Sequence, residues 1–176
     1  MKDTVASKFA YVAAFFFVAG MAVIFTMGLP EFEGQPPLSR ILFTAFALTF
    51  QLAMLPVIAA LPAPAWARAS GFTWVVMDIM LVMLSYYGKG SDIVEPLRMG
   101  VHLATATWIF GVSMGQEGAF RWVGFLIVPA SAGVSLIGPF LSGDAVLQAS
   151  GPGVLLLIAW IIMAGSRLGK SDAISA

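Results

Sequence analysis

The 176-residue chain contains no cysteine. Disulfide exchange, thiolate ligation of zinc or iron–sulfur clusters, cysteine nucleophiles and cysteine acylation are therefore all excluded. Its one histidine, His102, cannot build a bis-histidine haem or a histidine-rich metal site. No lysine lies within the long apolar runs, so a Schiff-base chromophore has no attachment point. A phosphate-binding glycine loop with its lysine and a Gly-x-Ser-x-Gly elbow are also missing. No cofactor and no metal are expected. An enzyme is not expected either, because Asp78 would need a second acid, base or metal beside it.

Charge is scarce as well. Nine basic and nine acidic residues cancel, which gives no sign of a nucleic-acid surface or a polybasic lipid patch. Charged residues make up 10% of the chain and hydrophobic ones 60%, far from a soluble domain, where about a quarter of residues are charged. With a mean hydropathy of +0.94 the chain belongs in a bilayer. Spans of about 20 residues leave little for a separate soluble domain. The expected fold is all-α: one compact bundle of six transmembrane helices filling residues 1–176 as a single domain.

Charges and Pro/Gly clusters cut the sequence into apolar segments at 9–29, 41–61, 71–88, 97–115, 122–141 and 145–166. Each can cross the hydrocarbon as a helix, which satisfies its own backbone hydrogen bonds. The first run is longer than the apolar core of a signal peptide and has no convincing small-x-small cleavage site before Pro30, so it reads as a retained helix. Lys2, Lys8, Arg68, Arg121, Arg167 and Lys170 fall on the side of the termini, against Arg40, Lys89 and Arg98 on the other. Both termini are expected to be cytoplasmic, in a membrane of the bacterial inner type. Tyr11, Trp66, Trp74 and Trp122 near one boundary and Tyr86 and Tyr87 near the other fit aromatic belts.

Asp78 and His102 are the ionisable side chains set away from the ends of the apolar runs, on the third and fourth segments. An intramembrane carboxylate marks a functional site by default, since lipid penalises its charged form. Gly71, Trp74, Asp78, Val82 and Ser85 recur at helical spacing and form one stripe that should face protein. At 1.5 Å per residue, Asp78 is roughly 10 Å from the inner end of its span. His102 sits at a comparable depth from the outer end, which argues against a directly bonded pair. No basic residue shares the depth of Asp78, so it is either neutral, hydrogen-bonded by hydroxyl or indole groups, or met by a partner chain.

Ser91-Asp92-Ile93-Val94-Glu95-Pro96 has the marks of a helix start. Glu95, Arg98, His102 and Thr105 then follow on one ridge, with Glu95 and Arg98 suited to a boundary ion pair and the ridge to the mouth of a pocket. Gln51 lies near the middle of the second segment with Thr44 on the same face, and such a side chain commonly bonds across a helix interface. Pro56 and Pro129 each free a backbone carbonyl and suit a kink, hinge or cavity wall. They fall in the second helix of each half, as an inverted repeat would have them, but the flanking residues do not repeat. Ala6-Ala10-Ala14 and Gly111-Gly115 are spaced for close helix contact.

Six helices, both ends inside, and Ala10-Tyr11-Val12-Ala13-Ala14 on the first helix resemble the substrate-binding components of energy-coupling-factor transporters. That resemblance covers size, topology and one short motif, and assigns no ligand and no residue role. Two functions remain. The chain binds or transports a small molecule or proton in a cavity near helices 2–4, with Asp78, His102, Gln51, Trp74, Ser85 and Thr105 as contacts; or it is a non-catalytic accessory subunit of a larger membrane complex. Its expected partners are the lipid bilayer, a small-molecule ligand, and either such a complex or further copies of itself.

Overall fold

A computed structural model describes residues 2–28, 34–87, 91–137, 140 and 143–174, with side chains at 4–28, 34–87, 97, 100–137, 140, 145 and 148–170. The described chain is helical: α1 Lys2–Met27, α2 Leu38–Ala60, α3 Ala65–Tyr86, α4 Ser91–Met114, α5 Gly118–Ile137 and α6 Gly143–Ile174. Five of the six are long and apolar enough to cross a membrane, α4 being the exception. Several helices outrun their apolar cores. Hydrocarbon thickness sets the length of the apolar stretch, whereas helical hydrogen bonding continues past it. Thus α3 starts at Ala65 rather than residue 71, behind Pro64, whose fixed φ and missing N–H suit a helix entry. α5 instead ends early, at Ile137. The side chains of Glu95 and Arg98 lie outside the described residues, so their pairing is not seen.

Each helix packs on the next and α6 returns to α1, which closes a six-membered ring. Neighbours run antiparallel throughout. Phe17 meets Phe50, Gln51 meets Asp78, Gly71 meets Trp108, Ser113 meets Gly124, Gly153 meets Ala130, and Ser7 meets Gly165. The start of α1 and the end of α6 therefore share one end of the ring.

Small residues make the seams. On the α1–α6 closure, Ala6 and Ala10 are buried, Ser7 Oγ donates to the Gly165 carbonyl at 2.7 Å, and Tyr11 and Ser166 hydroxyls are 3.0 Å apart. A Cβ on Gly165 would stand 3.2 Å from both Ala10 and the Tyr11 ring. Gly111 similarly admits Ala67 of α3, whose Cβ would lie 2.2 Å from any Cβ placed there. The alanine motif and Gly111 thus mark close helix contacts, whereas a Cβ on Gly115 would meet only the Val112 carbonyl of its own helix, at 3.8 Å.

Large apolar side chains cover the exterior, among them Phe15, Leu155, Trp122 and Leu136, each at least 65% exposed. That surface is what lipid requires and water would not tolerate. Trp66 and Trp122 are exposed, as belt residues should be, but Trp74 is 3% exposed and turns into the ring.

Candidate functional site

The inside of the ring has two unlike halves. In the half near the chain termini, aromatic side chains from every helix fill the axis. Phe17 packs on Phe50, Phe50 on Trp74, Trp74 stacks on Trp108 at 5.8 Å, Trp108 meets Trp160 edge-on at 5.2 Å, and Trp160 stacks on Phe120 at 4.9 Å. Arg167 caps the series over the Phe120 ring and ties down the α4–α5 connection through Gln116 Oε1 and the Glu117 carbonyl. Trp108, Trp160 and Phe120 are fully buried. We call this stack the plug.

The other half is open. A cavity of about 280 Å³ lies there, walled by all six helices. Phe16, Phe17, Phe43, Phe50, Met21 and Leu157 give it apolar walls, and Asp78, His102, Thr105, Ser131 and Ser150 give it polar groups. Phe17 and Phe50 belong to both halves, so the plug is the cavity floor. Pro129 and Pro152 sit inside α5 and α6, and Ala130, Ser131, Val134, Gly153 and Val154 on the wall follow them closely.

Asp78 is not isolated. Gln51, buried on α2, donates its Nε2 hydrogen to Asp78 Oδ2 across the α2–α3 interface. The antiparallel register that places Arg40 against Ser85 and Ile58 against Gly71 puts these two side chains level. This donor is a carboxamide. Half a turn about the amide exchanges Nε2 for Oε1, so the pair can close on an ionised or a protonated carboxyl. Gln51 Oε1 is buried without a hydrogen bond.

Of the six residues singled out in the sequence, Asp78, His102 and Thr105 stand on the cavity wall. Gln51 reaches it through Asp78. Trp74 lies below it in the plug, and Ser85 is engaged by Arg40 Nη1 at 2.8 Å, toward the far end of α3. The wall extends well beyond helices 2–4: α1, α5 and α6 contribute Phe16, Ser131 and Ser150, among others. Pro129 was the one local signal for α5. Nothing distinguished Phe16 or Phe43 among fourteen phenylalanines.

Among the described residues no group of three or more histidine, aspartate or glutamate side chains could hold a metal ion. The arrangement suits reversible binding: apolar enclosure for a body, and a few polar groups to orient it. No protein-family model, curated protein or solved structure matches this chain.

Proposed function

We propose that this chain is an integral membrane protein of six spanning helices, with both termini cytoplasmic, that binds a small molecule in the half-ring cavity as the holding site of a transporter or uptake component. The observation that carries the reading is the placement of Asp78. A carboxyl set in an otherwise apolar run is held by a buried glutamine at the wall of a cavity lined by all six helices. A residue needed only for packing has no reason to be there, since an apolar side chain of similar size avoids the desolvation cost. The plug makes the cavity one-ended, as a single state of an alternating-access cycle requires.

Native mass spectrometry of protein extracted gently from its own membrane tests this. One or a few copies carrying a retained small molecule supports binding. Recovery only with larger unrelated subunits, and no small molecule, overturns it in favour of an accessory subunit.

A further inference from the structure

Three of the helical threonines in this protein turn their hydroxyls back on the helix. Thr26, Thr49 and Thr107 each donate to the carbonyl four residues earlier, at 2.7, 2.8 and 2.8 Å. Thr105, one turn from His102 on the same helix as Thr107, does not. Its Oγ1 is buried with no hydrogen-bond partner, the residue is 5% exposed, and it lies on the cavity wall. Thr44 shares the unpartnered hydroxyl but is not on that wall. A buried hydroxyl without a partner is costly, and the neighbouring carbonyl was available to it. Its orientation makes sense if something in the cavity completes it.

The rest of the wall narrows what that is. Among its described residues Asp78 and His102 are the ionisable groups and none is lysine or arginine, so an anionic head group beside Asp78 meets a carboxyl, with the His102 imidazole alone to oppose it. The Thr105 hydroxyl can accept or donate, but an ionised Asp78 beside it only accepts, so a donor head can be met by both. Phe16, Phe17, Phe43 and Phe50 offer ring faces to an apolar body. The volume, about 280 Å³, is at the lower end for a small-molecule pocket. We infer that the ligand is a small lipophilic molecule headed by one N–H or O–H donor group, not an anion, with the head at Thr105 and Asp78 and the body among the phenylalanines. This assignment rests on the cavity being a binding site.

Three probes of similar size separate the possibilities: 2-phenylethanol, 2-phenylethylamine and phenylacetate, titrated calorimetrically into the protein in lipid nanodiscs. The alcohol and the amine should bind and phenylacetate should not. Thr105→Val, which keeps the shape and removes the hydroxyl, should weaken both donors by on the order of tenfold, and Thr105→Ser should restore them. Equal binding of phenylacetate overturns the assignment, and so does an unchanged affinity in Thr105→Val.

The cavity itself is checked separately with Ser131→Cys, the chain having no other thiol. Should this cysteine react with a small thiol reagent while neither donor probe binds, the head-group assignment falls and the binding-site reading stands. Should it stay inert in the folded protein, both fall.

Discussion

Gln51 on α2 donates to Oδ2 of Asp78 on α3, so the acidic group on the cavity wall is held by a carboxamide that is itself 1% exposed and stands off that wall. The pair joins α2 to α3 and, on the proposed reading, also presents a carboxyl to the cavity.

The two roles separate under mutation. Gln51→Leu takes the donor away from a carboxyl oxygen and should cost about 1–3 kcal/mol of stability. Asp78→Asn keeps an acceptor for Gln51, so it should shift stability by less than about 1 kcal/mol while abolishing ligand binding or altering its pH dependence. Thermal unfolding in detergent and ligand titration check the two halves. Loss of stability in Asp78→Asn with binding intact would assign the pair to packing alone.

Gly124 is the tightest point between α4, α5 and α6. A Cβ there would stand 1.9 Å from Ser113 Oγ and 2.9 Å from Trp160 Nε1, both on fully buried residues. Gly124→Ala should destabilise by about 1–3 kcal/mol through overpacking. Gly133→Ala in the same helix meets nothing within 4 Å and should be tolerated. Adding Ser113→Gly to Gly124→Ala should recover part of the loss, which thermal unfolding of the three variants will show.

Within the plug, ring volume matters and the indole N–H does not. Nε1 of Trp108 and of Trp160 are buried without hydrogen-bond partners. Trp160→Phe therefore breaks no bond and should cost only what the lost ring volume costs, about 1–2 kcal/mol. Trp108→Ala removes the ring that links Trp74 to Trp160 and should cost about 3–5 kcal/mol. It should also deepen the cavity, which a longer homologue of a bound probe would report by gaining affinity in the variant.

Helix number was legible because long apolar runs are a one-dimensional signal, and the Ala6-Ala10-Ala14 seam because small residues at four-residue spacing share a face. Ring order was not. Periodicity says which face of a helix turns inward but not which helix meets it, and Gly165 and Gly169 gave no hint that they receive Ala10 and Ser7. The site divides in the same way. Asp78, Gln51, His102 and Thr105 stand out as polar residues in apolar runs, whereas the phenylalanine walls are chemically identical to lipid-facing residues such as Phe15.

The two unlike halves of the ring predict one-sided access. The aromatic plug closes the half nearest the termini, so entry is from the opposite end. On the proposed orientation, with both termini cytoplasmic, Ser150→Cys on the cavity wall should react with a membrane-impermeant thiol reagent applied outside and not with the same reagent applied to inverted vesicles. Ser113→Cys, fully buried beside the plug, should be protected from both sides in the resting protein. If the protein is a transporter, the plug must part, and substrate should then expose Ser113→Cys from the side of the termini. A cavity cysteine labelled only from inside would reverse the orientation. A Ser113→Cys inert under every substrate condition would leave a binding protein whose floor never opens.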